Sequence, residues 1–519
     1  MGSVSSGRWM GLSKGPGVAL TPADADNALF LGLVGLLVWA PLPLGSNRPW
    51  WSALMVLWVL MLLGLWLLGS LRKGWPTTPA LRRAWPMLTI LGVWVAYGLV
   101  QMIPLPRAVL AAVSPGAVRL YADAGVTGVA PLTLDLHASL NLWIGSVTYL
   151  GLFALILLLV RTHRRLWLLC HALVLAALAQ SMLASLVALS GVDVWFVEAN
   201  GAAHGTFPNR NHLAGFLEMG IAIGIGLLMA ELGSDARQPT WRQRLRNWLR
   251  TLLGRKARLR IYLAIMVVTL VLTGSRMGNS AFFGSLLIAS MVTLLFYRSL
   301  PRSVLVLMIS LVLVDLFILG SWFGLDRVRE RLERTVLTEE TRYHVDVQGL
   351  GYVQDYWLTG SGGGTFMSVF TAYRDRNLVP LTFDHAHNDY LEFLLEFGVG
   401  GLALLGAAVL GSLVAAVSVL RRRRDPLLRG CAFASLMGIG AILIHSTADF
   451  NLRIPANAAL FMVLLALPWL GRGLGQRAGP AGPPDGEGRH PNIGRHGEGP
   501  ILAAGGPGGP GPLVRGTAP

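Results

Sequence analysis

Long hydrophobic runs of similar length, separated by shorter polar intervals, occupy most of this chain. Crossing a bilayer takes about 20 helical residues. Runs of that order lie near residues 27–44, 51–69, 84–102, 140–160, 166–190, 212–232, 259–274, 280–297, 303–323, 398–420, 429–447 and 455–472. The pattern predicts an all-α polytopic membrane protein with about twelve transmembrane helices. The first run opens near Asn27 and has many successors, so it reads as a span rather than a cleaved signal peptide.

The polar intervals give the orientation. Arg72, Lys73, Arg82 and Arg83, then Arg161, Arg164 and Arg165, then the run from Arg237 to Arg260, then Arg298 and Arg302, then Arg421 to Arg424, fall on alternate loops and hence on one side. Cytoplasmic loops gather Lys and Arg, which predicts cytoplasmic termini. The predicted organisation is a cytoplasmic segment over 1–26, helices 1–9 over 27–323, a large periplasmic loop over 324–386, helices 10–12 over 387–472 and a disordered cytoplasmic tail over 473–519. A second sizeable loop on the periplasmic side covers about 103–139.

Composition agrees with this picture. Of 519 residues, 53% are hydrophobic and 13% charged, against roughly 25% charged in a soluble domain; the mean hydropathy is +0.56. The net charge of +16 invites a nucleic-acid reading, but the charges sit on the loops that topology makes basic, so membrane lipids and not nucleic acid are the expected partner. The stretch Trp241 to Arg250 alternates aromatic and basic residues and reads as an interfacial helix against anionic headgroups. Cys170 and Cys431 lie inside apolar runs, which implies neither a disulfide framework nor a thiol-ligated metal.

The chemistry concentrates on the periplasmic side of this topology. Asp384-His385-Ala386-His387-Asn388-Asp389-Tyr390-Leu391-Glu392 is a knot of polar and titratable residues at the mouth of a span, where charge is expensive to keep. Arg210 sits in Phe207-Pro208-Asn209-Arg210-Asn211-His212 and Arg276 in Thr273-Gly274-Ser275-Arg276-Met277-Gly278. A lone arginine at a span end often only snorkels to headgroups. Here Asn209, Asn211, His212 and Ser275 add hydrogen-bonding groups, and Gly274 and Gly278 permit close backbone approach, which suits a bound phosphate. Two guanidinium forks on one face would hold a pyrophosphate as it departs. His387 is the candidate general base, since an ordinary imidazole titrates near working pH, with Asn388, Asp389 or His385 orienting its ring. A metal site would draw on Asp384, His385, His387 and Asp389. Four residues so close in sequence rarely close a site alone, so no metal and no cofactor are expected.

Other polar positions carry plainer expectations. The run Gly360 to Gly364 lacks the Lys-Ser/Thr of a phosphate loop and reads as a turn before a helix. Asp24 and Asp26 are expected to cap the first helix. Asp315 lies inside a span, where it is either functional or hydrogen-bonded between helices. Glu218, two turns after Arg210, is a possible arginine partner.

Several blocks together resemble the O-antigen ligase and polymerase superfamily. They are Gly205 to His212, the Ser275-Arg276 turn, Leu358 to Phe366, and His385 to Glu392 followed by Gly398 and Gly401, with Asp449-Phe450-Asn451-Leu452-Arg453-Ile454-Pro455 as a further block. The motifs cover roughly residues 140–472. The resemblance implies a GT-C-like fold and an inner-membrane transferase that moves a glycan from undecaprenyl diphosphate to an acceptor hydroxyl, a glycan or a lipid A-core, with inversion and without metal. It makes His387 the base and Arg210 and Arg276 the diphosphate ligands, supported by His385, Asn388, Asp389, Asn211, Arg342 and Asp449. A polymerase of O-antigen or exopolysaccharide would use the same chemistry. A flippase for lipid-linked glycans would instead line a central path with charges in both halves, whereas here they gather at one side.

Overall fold

The computed structural model describes residues 22–194, 197–199, 201–233, 254–297, 301–310, 313, 349–373 and 383–475. Arg342, Asp315, the stretch Trp241 to Arg250 and the tail beyond 475 lie outside the described residues. Among those described the regular structure is helical. Extended pairing is limited to isolated bridges, Leu105 with Ala130 and Val194 with Val197.

The helices are α1 (Pro22–Trp39), α2 (Pro49–Lys73), α3 (Pro79–Arg83), α4 (Trp85–Gln101), α5 (Arg107–Val113), α6 (Pro115–Asp123), α7 (Leu136–Leu159), α8 (His163–Ser190), α9 (Arg210–Gly233), α10 (Arg255–Leu272), α11 (Arg276–Phe296), α12 (Asp389–Arg422), α13 (Pro426–His445) and α14 (Pro455–Gly473). Every predicted span except the one near 303–323 coincides with a helix, and there residues 302–310 are helical. Among the described residues, eight helices are long and apolar enough to cross a membrane: α2, α7, α8, α9, α11, α12, α13 and α14. The other matches are α1, α4 and α10, of 18, 17 and 18 residues; α1 opens on Asp24 and Asp26, and α10 on Arg255 and Lys256. Charge and short length, not a lack of helix, separate these from the eight.

Polar side chains fix the helix starts. Asp135 accepts from Ala138 N at 3.0 Å, Ser275 from Gly278 N at 3.2 Å and Asn388 from Leu391 N at 3.1 Å, each satisfying an amide that the helix itself leaves unpaired. Asp24 and Asp26 lie within α1 and not at its cap position. Asp26 pairs with Arg165 at 2.7 Å and Arg161 at 3.4 Å, tying α1 to the start of α8. At the same end Arg83 and Arg423 donate to the carbonyl of Arg472. The described basic residues Arg83, Arg161, Arg165 and Arg423 therefore gather at one end of the bundle.

Helix α9 is the centre, 94% of its apolar window being buried. It meets α13 with backbones in contact: a Cβ added at Gly226 would lie 2.3 Å from the Gly430 carbonyl oxygen. In a membrane such close crossing of small residues replaces the hydrophobic drive available in water. Cys170 and Cys431 are free, buried thiols in this interior, with sulfurs 4.0 Å apart.

At the other end a second, smaller core assembles from Leu110, Leu132, Tyr352, Tyr356, Phe366 and Phe370, with Ala386 and Leu395. It joins the described parts of the two loops that the sequence separates. Leu134 N donates to the Ser361 carbonyl at 2.9 Å, and Ser139 Oγ to that of Gly363 at 2.8 Å. The Gly360 to Gly364 run is, as expected, a turn before a short helix, Phe366–Phe370. Its glycines serve packing: Gly360 has φ +73, and a Cβ there would meet the Glu396 carbonyl oxygen at 2.1 Å. The opposing helix α12 is kinked at Gly398, φ 64, where a Cβ would strike the Leu358 carbonyl oxygen at 2.3 Å.

The orientation has a direct test. Thr371 and Arg424 are both exposed, at the opposite ends of the bundle. A membrane-impermeant thiol reagent applied to intact cells is expected to label Thr371→Cys and to spare Arg424→Cys. The reverse pattern would place the basic end outside and refute the predicted orientation.

Candidate active site

The mouth of α12 is built so that His387 stands apart from the helix it precedes. Asn388 caps the helix, and His387 immediately before it has φ 53. A non-glycine residue in the left-handed region is uncommon, and such strain clusters where a side chain must be aimed. Its imidazole Nδ1 lies 3.5 Å from Oδ1 of Asp449, ion-pair reach and not a formed hydrogen bond. His212, one turn into α9, brings its Nε2 to 3.8 Å from the same oxygen. Phe450 is the shared wall, with ring centroids 4.1 Å from His385, 4.7 Å from His212 and 4.9 Å from His387. Burial opposes a charge on Asp449, but its contacts with His212 and His387, reinforced by the charge of His445, hold the carboxyl well below its ordinary range.

Residues expected to orient the His387 ring have other partners. Asp389 Oδ2 accepts from Ser446 Oγ at 2.6 Å and from Leu452 N at 3.3 Å. His385 Nδ1 meets Glu392 Oε1 at 2.9 Å. Burial disfavours the protonated His385 ring, but the hydrogen bond and charge of Glu392 prevail and raise its pKa. The carboxylate that faces His387 Nδ1 is that of Asp449. Among the described residues, no group of three His, Cys, Asp or Glu side chains is placed to hold a metal ion.

Arg210 and Arg276 are the first residues of α9 and α11, and both side chains are exposed. The two helix starts lie side by side. A Cβ on Gly274 would sit 3.6 Å from Arg210 Nη1, and one on Gly278 would sit 3.0 Å from Glu218 Oε1. Asn209 Oδ1 accepts the amide of Asn211 at 2.9 Å, closing the turn before α9. Asn211 itself is half-buried. The fold thus brings Arg210, the Arg276 turn, His212, Asp449 and His387 to one end of the bundle, with two helix N-termini presenting amides and positive dipole ends there. Glu218 pairs not with an arginine but with His445, whose Nδ1 lies 2.9 Å away with both side chains fully buried.

A buried ionic network behind the mouth escapes a linear reading. Arg453 Nε lies 3.0 Å from Glu392 Oε1, and Arg453 Nη2 bonds Glu396 Oε2. Its guanidinium also stands over the Phe393 ring at 4.6 Å. Burial works against the charge on Arg453, but the two carboxylates overcome it and raise its pKa. A signal was present: Asp389, Glu392 and Glu396 are spaced three and four apart, one helix face inside an otherwise apolar run. Arg453 and His385 close the polar end of a cavity of about 490 Å³ between α2, α4, α7, α12 and α14, whose walls include Asn141, Tyr149, Trp94 and Phe461.

The family model described as O-antigen ligase matches residues 261–406. No curated protein matches the chain. The matched segment holds Arg276, the Gly360 to Gly364 turn and the whole mouth from His385 to Glu392, and it ends within α12. Arg210 and Asp449 lie outside it and reach the site through the fold. An O-antigen ligase segment containing the histidine mouth, set among apolar helices of membrane-crossing length, supports a relationship of this membrane protein to the O-antigen ligase and polymerase superfamily.

Proposed function

We propose that the protein is a glycosyltransferase of the bacterial inner membrane that moves a glycan from an undecaprenyl-diphosphate-linked donor to an acceptor hydroxyl on the periplasmic face. The observation that carries this reading is the meeting of two arginine-headed helix N-termini with the His387 and Asp449 pair. Arg210 and Arg276 grip the diphosphate with forked donors, and the helix ends add amides and partial positive charge. Asp449 faces Nδ1 of His387 and leaves Nε2 to accept the proton of the acceptor hydroxyl. The hydroxyl oxygen attacks the anomeric carbon as the bond to the diphosphate oxygen breaks, and the configuration inverts. The leaving charge develops where the arginines stand, so they stabilise the transition state more than the bound donor. The largely apolar cavity suits the hydrocarbon part of a lipid substrate. Ligase transfer to a lipid A-core or glycan acceptor is the form adopted here, and a polymerase would extend the glycan by the same steps.

The test is transfer by purified protein in lipid nanodiscs carrying the lipid-linked donor and an acceptor. Glycan transfer is expected, and it is expected to continue in EDTA, because no step calls on a metal ion. Loss of turnover in EDTA, restored by a divalent cation, would refute the metal-free scheme. Movement of the donor between leaflets of proteoliposomes with no transfer would favour a flippase.

A further inference from the structure

Helix α12 is longer than the bilayer it enters. Its 34 residues amount to about 51 Å of helix, whereas the hydrocarbon is about 30 Å thick. Counted back from Arg421 and Arg422 at its basic end, about 20 residues of hydrocarbon-spanning helix end at Gly401, close to the kink at Gly398. Helix α4 marks the same level, since Ile103 follows Arg83 by about 20 residues. The two markers meet in the structure. Gln101 Nε2 donates to the carbonyls of Glu396 at 2.9 Å and Thr359 at 2.8 Å, and Val399 N donates to that of Trp357 at 2.7 Å. The turn Trp357-Leu358-Thr359 is thereby pinned where hydrocarbon gives way to headgroups. The residues of α12 before the kink, with Glu392 and Glu396, rise about 13 Å beyond that level towards the mouth.

The side chains exposed at this level are apolar. Ile103, Val109, Trp357, Leu358 and Val399 are each between 44% and 52% exposed. Val109 belongs to α5, which Thr359 Oγ1 ties to the turn by a 3.2 Å bond to the Val113 carbonyl. The other exposed positions of α5 are alanines. Charge appears only beside the patch, where Asp355, two residues before Trp357, pairs with the exposed Arg119. Facing water, contiguous apolar surface of this kind is a liability. Facing a bilayer it is not, and an indole is favoured at the boundary between acyl chains and headgroups.

We propose that the Trp357-Leu358 turn and the exposed side of α5 form an interfacial docking surface for phospholipid of the leaflet on the mouth side of the bundle. The occupant is lipid because the surface continues, without a polar break, the exposed apolar flank of α4 at Leu99 and Val100, and because both helices place it at the edge of the hydrocarbon. The docked turn braces the kink of α12 through the bond from Val399 to Trp357. It holds the histidine mouth and its carboxylates clear of the hydrocarbon, where ionised groups are expensive. No transfer step is involved, so the surface stands apart from the chemistry proposed above.

The experiment places one nitroxide label at a time on the full-length protein, with Cys170 and Cys431 replaced by Ala, in liposomes of phosphatidylcholine and phosphatidylglycerol. Labels at Leu358→Cys and Val109→Cys are compared with Val414→Cys, on the exposed flank of α12 within the span, and with Thr371→Cys, an exposed polar position at the mouth end. Power-saturation electron paramagnetic resonance reads collisions with oxygen, which concentrates in hydrocarbon, and with a water-soluble nickel chelate. Both docking-surface labels are expected to give an oxygen-to-nickel ratio several-fold above that of Thr371→Cys and below that of Val414→Cys. A ratio equal to that of Thr371→Cys would put the turn in water. Low collision rates with both reagents would mean that protein, such as a second copy of the chain, covers it. Either result overturns the proposal. Should Leu358→Cys fail to accumulate, Val109→Cys with and without Trp357→Ser decides. Loss of the indole is expected to lower the ratio at Val109→Cys, and an unchanged ratio overturns the anchor.

Discussion

His387→Ala is expected to lower glycan transfer by roughly 10²- to 10⁴-fold, the usual contribution of a positioned general base, while donor binding stays close to wild type. The separation of the two effects follows from the geometry. His387 stands before the cap of α12 and faces Asp449, whereas the proposed diphosphate ligands Arg210 and Arg276 head α9 and α11. Asp449→Asn keeps the shape but removes the carboxylate beside Nδ1, so it should lose much of the same rate. His385→Ala is expected to do less harm to turnover, because that ring is bound to Glu392 and stacks on Phe450. Single-turnover transfer measured beside donor binding checks all three. Wild-type turnover in His387→Ala would remove the base, and equal losses of binding and turnover would mean that the residue only shapes the site.

Arg210→Lys and Arg276→Lys are each expected to reduce transfer about tenfold or more without preventing membrane insertion. Lysine keeps the charge but offers a compact ammonium in place of a planar fork, so it cannot make two parallel bonds to one phosphate. The loss should appear in both donor affinity and turnover, since the leaving diphosphate gains charge in the transition state. If both variants transferred at the wild-type rate, the arginines would be serving only as interfacial anchors. The positions of the two side chains argue against that simple role. They head adjacent helices, and Arg210 Nη1 comes within 3.6 Å of a Cβ placed on Gly274.

What was legible in the sequence was whatever depends on local composition. Backbone groups in lipid must be satisfied within the segment, so a run of about 20 apolar residues such as that in α9 or α12 can only be a helix. Local caps were equally readable, as in Ser275 before α11 and Asn388 before α12. Motif-scale blocks were also legible, because His387, Arg210 and Arg276 sit in short polar stretches that stand out against an apolar background. The segments of α1, α4 and α10, read as spans from hydropathy, are helices, but they are not among the eight long and apolar enough to cross a membrane.

Partnership between distant segments was decided only by the tertiary structure. The Asp449 carboxylate comes to face His387 Nδ1 because the loop after α13 folds across the mouth of α12. Glu218 meets His445 across 227 residues of sequence because α9 and α13 cross at Gly226 and Gly430 with no side chain between them. Described parts of two loops separated by many helices share one aromatic core around Tyr352 and Phe366. Hydropathy is a property of each residue and its neighbours, and it fixes which segments become helices. The choice of which polar group compensates which buried charge depends on helix crossing and loop closure, and those are set by packing among segments that are remote in the chain.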